Sequence, residues 1–289
     1  NTSELTKDED GTVINKTASY AGDGGLQQVF AGVGFKVLDN LSIGANISYI
    51  YGDITHSVTT AFSNSSSFSS VRLDKISIND YKLDFGLQYS YKFNKKHVLN
   101  FGAVYSLGHS VNGKGYKYNQ KWLNGADYPS TQTGDTITNA FSLPHTFGAG
   151  LTYVYDNRLT IGADFTYQQW EDAKFYNEKS YFSNRTKIAA GAEFVPNPYS
   201  RNYLKRVRYR VGGYYSDPYT KVDGQDGTRE YGVSAGFGFP LFQSKSILNI
   251  SGQYVRVSPK VKGMLEENYL KINIGLTFNE RWFMKWKVD

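Results

Sequence analysis

The feature that most constrains this chain is a two-residue hydrophobic period running from end to end, because such alternation puts apolar side chains on one face of a strand and polar ones on the other. Three stretches show it. Leu83, Phe85, Leu87, Tyr89, Tyr91 and Phe93 are interleaved with Asp84, Gly86, Gln88, Ser90 and Lys92. Leu159, Ile161, Ala163, Phe165 and Tyr167 alternate with Thr160, Gly162, Asp164, Thr166 and Gln168. Leu270, Ile272, Ile274, Leu276 and Phe278 alternate with Lys271, Asn273, Gly275 and Thr277. A 3.6-residue period is hard to find, so strands are expected almost everywhere.

A mean hydropathy of -0.48, with no apolar run near ~18 residues, excludes a membrane-spanning helix of the usual kind. It does not exclude a transmembrane β-barrel, which hides its apolar content in alternation between lipid and lumen. With no Cys in 289 residues, a disulfide framework, a thiol nucleophile and Cys-ligated metal sites are excluded. His56, His97, His109 and His145 show no zinc-site spacing, and nothing selects His109-Ser110 or His145 as part of a hydrolytic triad. Neither an enzyme nor a cofactor is expected. The net charge of +6 is spread along the chain without a basic block, so no nucleic-acid partner is expected.

Eleven strands are predicted, at roughly 25–38, 41–60, 70–93, 97–112, 137–155, 158–176, 183–196, 206–216, 229–240, 246–258 and 268–278. Short turns (39–40, 94–96, 156–157, 197–205, 241–245) alternate with longer polar segments (61–69, 113–136, 177–182, 217–228, 259–267). This is the signature of an all-β, antiparallel up-and-down barrel in a bacterial outer membrane, with short periplasmic turns and long extracellular loops. The wall covers 25–278. Residues 1–24 read as a polar extracellular loop or incomplete strand, and 279–289 as a periplasmic tail. If the last strand ends on the periplasmic side, eleven strands counted back start at Gly25 on the outside, so an ascending strand is expected before it. With no initiator Met or signal peptide, the chain reads as the C-terminal part of a longer barrel.

The polar register holds many glycines, among them Gly44, Gly86, Gly102, Gly148, Gly150, Gly191, Gly212 and Gly232. Wall curvature explains them, as does room for a plug or ligand. The same register carries Asp84, Asp164, Lys187 and Glu193, and Arg206, Arg208 and Arg210 alternate with Val207, Tyr209 and Val211. A lipid-facing Arg or Lys costs about 2–4 kcal/mol near the midplane, so these charges are expected in the lumen. They would form a salt-bridged interior or an anion-selective constriction. Tyr49, Tyr51, Tyr89, Tyr91, Tyr153, Tyr155 and Tyr167 fall near strand ends on the apolar register, as aromatic girdles at the two interfaces would; a sugar-binding platform suits that register less well. The carboxylates between Asp217 and Gly227 lack calcium-loop spacing, and Gly22-Asp23-Gly24-Gly25 precedes a strand rather than the helix a phosphate cradle needs.

Two stretches carry a likeness to a known family. Gly24 to Lys36 (GGLQQVFAGVGFK), followed by Leu41 to Gly52 (LSIGANISYIYG), resembles central strands of the FadL/TodX outer-membrane transport family in the form found in Bacteroidota. The tail Phe278 to Lys287 resembles the end of those proteins. The resemblance implies a 14-stranded monomeric barrel with an N-terminal hatch, importing a hydrophobic small molecule. This chain would supply the last eleven strands, and no ligand-binding residue carries over. Tyr269, Gly275 and Phe278 resemble the terminal-strand signal read by the barrel assembly machinery, although the chain continues beyond Phe278. The function expected first is an outer-membrane channel for uptake of a hydrophobic small molecule; the alternative is a non-transporting accessory barrel in a multi-protein outer-membrane assembly or secretion machine. Expected partners are outer-membrane lipid and lipopolysaccharide, the assembly machinery, and either a hydrophobic ligand or other outer-membrane proteins. Deleting 279–289 should leave barrel formation intact by heat-modifiable gel mobility; complete loss of folding would show that Phe278 does not end the assembly signal.

Overall fold

In the computed structural model, residues 2–7, 11–64, 67–123, 131–176, 179–222, 224–241, 246–259 and 266–278 are described. The tail 279–289 and Pro129 lie outside them. The strands in order are β1 (Thr2–Lys7), β2 (Val13–Leu38), β3 (Leu41–Phe62), β4 (Phe68–Lys92), β5 (His97–Ser106), β6 (His109–Val111), β7 (Gly113–Leu123), β8 (Thr131–Thr138), β9 (Phe141–Leu143), β10 (Thr146–Tyr155), β11 (Leu159–Gln168), β12 (Arg185–Phe194), β13 (Arg208–Ser216), β14 (Lys221–Val222), β15 (Gln225–Asp226), β16 (Thr228–Pro240), β17 (Ile247–Pro259) and β18 (Glu267–Thr277).

The wall is one antiparallel sheet in the order β2-β3-β4-β5-β10-β11-β12-β13-β16-β17-β18, matching the eleven expected strands. Three further strands, β1, β7 and β8, bring the sheet to 14 without belonging to that wall. The architecture is that of an up-and-down β-barrel wall. It is open between β2 and β18: among the described residues β18 pairs only with β17, and Ser19–Leu38 pairs only with β3.

The register separates two chemistries. Asn100, Thr152, Gly162, Gly191, Gly212, Ser234, Gln253 and Lys271 form one continuous cross-strand row. The neighbouring row, Phe101, Leu151, Ala163, Ala190, Gly213, Val233, Tyr254 and Leu270, points the other way. Because adjacent residues alternate faces, one row is polar and the next apolar. Ile272 and Ile274 on that apolar face are 70% and 73% exposed, as lipid-facing side chains are.

Strand length divides the molecule vertically. β5, β10, β11 and β12 have 10 residues each, which matches the ~9–11 that a tilted strand needs to cross a bilayer. β2, β3 and β4 have 26, 22 and 25. Their excess lies opposite the tight turns, one of which, closed by Arg158 N–H donating to Tyr155 O at 2.9 Å, has positive φ at both central residues, Asp156 and Asn157. A tall sheet therefore projects beyond the bilayer on the long-loop side. β4 changes partners along its length: Asp84–Lys92 pairs with β5, and Phe68–Ile78 pairs with the β7–β8 hairpin.

Five local expectations are corrected. Residues 113–136 are not one loop, since β7 and the start of β8 lie there; this hairpin is outside the bilayer and needs no apolar alternation. Residues 1–24, expected as a loop or an incomplete strand, contain strand rather than loop, β1 and the first half of β2, where Val13 is exposed while Ile14 and Ala18 are buried. The strand expected over 137–155 is three pieces, β8's end, β9 and β10, with Asn139 at φ 54° between the first two. The strand expected over 158–176 stops at Gln168 and is followed by a short helical turn at Trp170–Asp172. β13 starts at Arg208, so Arg206 lies in the preceding turn.

The register yields a direct test. Ile272→Arg should destabilise the protein in bilayers by about 2–4 kcal/mol, and Asn273→Arg by well under half as much, measured by urea titration in lipid vesicles. Equal penalties would mean the faces are reversed.

Candidate functional site

On the polar face, cross-strand pairing brings charges together. Glu193 lies opposite Arg210 and accepts from both arginines, from Arg208 Nη1 at 3.0 Å and Arg210 Nε at 2.6 Å, while Arg210 Nη1 donates to Asn249 at 2.7 Å. Lys187 places its ammonium 5.2 Å from the centre of the Tyr214 ring, and the Tyr214 hydroxyl donates to Glu230. Asp84 takes bonds from Lys82 and, at 2.5 Å, from the Ser106 hydroxyl. Asp164 lies opposite Gly150.

The glycines on this face make room for neighbouring side chains. A Cβ on Gly150 would come 2.4 Å from Asp164 Oδ1, one on Gly232 2.5 Å from the Tyr214 ring, and one on Gly238 3.2 Å from Arg208 Cβ. Charged and aromatic side chains therefore lie flat across glycines of the adjacent strand. Arg206 stands apart. Its backbone N–H caps the Tyr203–Lys205 turn and its guanidinium sits 5.5 Å over the Tyr203 ring, so the three arginines do not form one row.

The aromatic residues divide between the two ends of the wall. At the turn end, His97 lies between Tyr153, whose hydroxyl is 2.5 Å from Nδ1, and the Tyr155 ring; Tyr91 packs edge-on against Phe93, and Tyr89 faces Leu41. At the other end Tyr167 lies opposite Phe147, and Tyr49 stacks on Tyr51 and donates to Asn79 at 2.7 Å. Tyr269 and Gly275 lie on the polar face of β18, opposite Val255 and Asn249, whereas Phe278 follows the last strand residue and is exposed.

Above the wall is a region that sequence reasoning missed. The inner face of the projecting sheet carries Ile76 and Ile78, which are buried with Val111 and Tyr176 and packed against Ile137, Phe141 and Leu143. β6 and β9 pair to close over this core. Beside it runs an aromatic chain: Phe141 against Phe175, Phe175 against Phe182, and Trp170 against Phe182 and Tyr219 at 5.2 and 5.1 Å. Arg185 stacks on Tyr219. The loops thus fill their own apolar space. No period could have revealed this cluster, because its members come from separate connections. No His, Asp and Glu cluster able to hold a metal occurs among the described residues.

The wall, its capped mouth and its projecting sheet can now be compared with known proteins. The family model for BamG matches residues 2–289. The chain belongs to the BamG family. No curated protein matches the sequence. Among solved structures, this BamG-family chain is similar to a Pseudomonas aeruginosa FadL homologue, with a TM-score of 0.51 and 17% identity over 89% of this chain and 65% of that one. It is also similar to the Ralstonia pickettii toluene transporter TbuX, with a TM-score of 0.54 and 11% identity over 93% and 78%. A third likeness is to the RagAB peptide importer, with a TM-score of 0.51 and 10% identity over 90% and 34%. The chain thus spans 65% of the FadL homologue and 34% of the RagAB chain. At these identities the likeness is one of fold, and the expected FadL/TodX type holds at that level.

If the projecting sheet has its own core, Ile76→Ala should weaken it by about 2–4 kcal/mol. Amide exchange should quicken at least tenfold in 109–143 while β16–β18 stay unchanged. Uniform quickening throughout would show that wall and projection unfold as one unit.

Proposed function

We propose that this chain forms part of an outer-membrane β-barrel that serves as an accessory, protein-binding subunit of a multi-protein outer-membrane assembly. The observation that carries this reading is the extension of β2, β3 and β4 to more than twice the 10 residues of β5, β10, β11 and β12, with β1 and the β7–β8 hairpin paired onto them. A channel wall does not require such a structure, whereas a docking surface does. Its outer face presents Tyr49, Tyr51, Tyr81 and Tyr116 around the Asp53–Lys75 ion pair, the aromatic-rich composition of protein interfaces. Membership of the BamG family supports an accessory role. In this reading the chain is not an enzyme, the polar face lines the lumen, the projection is extracellular, and the source is a member of the Bacteroidota, as the β2–β3 resemblance implies.

The second reading is a channel for a hydrophobic small molecule, favoured by the fold likeness to the FadL homologue and the toluene transporter TbuX. The aromatic cap argues against it, since the loops occupy the apolar space such a ligand would enter. A photo-crosslinking amino acid placed at Tyr116 or Lys75 in living cells distinguishes the two. The accessory reading expects capture of one defined outer-membrane protein and unchanged toluene uptake in cells lacking the chain. No capture, together with lost uptake, would favour the channel.

A further inference from the structure

The turn end of the wall carries a charged surface at the opposite end from the projecting sheet. Connections 93–96, 156–158 and 195–207 link β4 to β5, β10 to β11 and β12 to β13. Backbone bonds join them into one rim: Asp156 N–H donates to Lys96 O and Val195 N–H to Arg158 O, both at 2.7 Å. Lys95, Lys96, Arg158, Arg201 and Lys205 all stand exposed on this rim. None of them has an ion-pair partner among the described residues, and Asp156 is the one carboxylate in the three connections. Like charges gathered this way repel one another and attract a surface of the opposite sign.

The third connection has a fixed shape as well as a charge. A hairpin connection needs about 2–5 residues, and 195–207 uses its excess to build a framed tip. Val195 and Val207, 6% and 1% exposed, anchor its two ends, and Asn197 N–H donates to Lys205 O at 2.8 Å across its base. Side chains cap the backbone inside it. Asn197 Oδ1 accepts from Tyr199 N–H at 3.0 Å, Ser200 Oγ from Asn202 N–H at 3.1 Å, and Asn202 Oδ1 from Leu204 N–H at 3.0 Å. The frame leaves Tyr199 and Leu204 93% and 64% exposed. An aromatic side chain on a backbone already ordered gives up less freedom on binding, which is what an interface anchor requires. Lipid headgroups rearrange around cations and need no such frame, whereas a protein surface of fixed shape does.

We propose that this rim docks an acidic domain of a second protein subunit on the periplasmic side, with Tyr199 and Leu204 seated in an apolar pocket of that partner and the five cations facing its carboxylates. The inference rests on the reading above, which makes the chain a protein-binding subunit and puts the turn end in the periplasm. It adds a second contact, at the other end of the wall from the projection.

A photo-crosslinking amino acid in place of Tyr199, in living cells that assemble the whole complex, tests it beside the same amino acid in place of Tyr116. Position 199 should capture one protein, at a peptide in which Asp and Glu outnumber Lys and Arg. Lys95→Glu combined with Lys205→Glu should cut this capture about tenfold or more and leave capture at position 116 unchanged. Lys substitution of the acids in the captured peptide should restore it. Unchanged heat-modifiable gel mobility establishes that the variants are folded. Capture of phospholipid at position 199, no capture there while position 116 captures its partner, or capture indifferent to charge reversal overturns the inference and leaves the accessory reading standing. No capture at either position overturns both.

Discussion

Inside a bilayer every backbone N–H and C=O must find its partner within the protein, because lipid offers none. The rest of this structure follows from that constraint. The ladder from β2 to β18 is unbroken across ten antiparallel pairings, and the shorter strands are as long as the apolar slab requires. Among the described residues two edges of the wall are left without a partner strand, along Ser19–Leu38 and along β18. Side chains follow the backbone: each strand alternates between an apolar and a polar face, and the charges on the polar face engage one another, as Glu193 does with Arg208 and Arg210.

Above the bilayer the constraint relaxes and a different one takes over. Water can satisfy a backbone, but a sheet standing in water needs apolar burial to stay folded. β4 meets both conditions in one strand by pairing with β5 along Asp84–Lys92 and with β7 along Phe68–Ile78. Its even-numbered residues form the polar inner face below, and the same face becomes the buried Ile76 and Ile78 above. The loops that cover them bring the aromatic cap with them.

What the sequence made legible follows this division. Wall strands were readable because lipid on one face and polar groups on the other impose a period of two. Leu270, Ile272 and Ile274 had no alternative. The β7–β8 hairpin was not readable, because Gly113-Lys114-Gly115-Tyr116-Lys117-Tyr118 carries tyrosines toward water and glycines toward the core, the inverse of the expected pattern. Arg206 misled through an alternation that continued one step too far; Val207 beside it is almost fully buried at the turn. The resemblance to FadL/TodX proteins located the fold, and the BamG match located the family, since wall motifs are shared among barrels of different roles.

The central claim is that this wall is built to hold protein partners rather than to pass a ligand. Native mass spectrometry of the full-length protein, extracted gently from its own outer membrane without overexpression, tests it most directly. The account predicts a complex with other outer-membrane proteins in fixed stoichiometry and no bound hydrophobic small molecule. A lone barrel carrying such a molecule would contradict it.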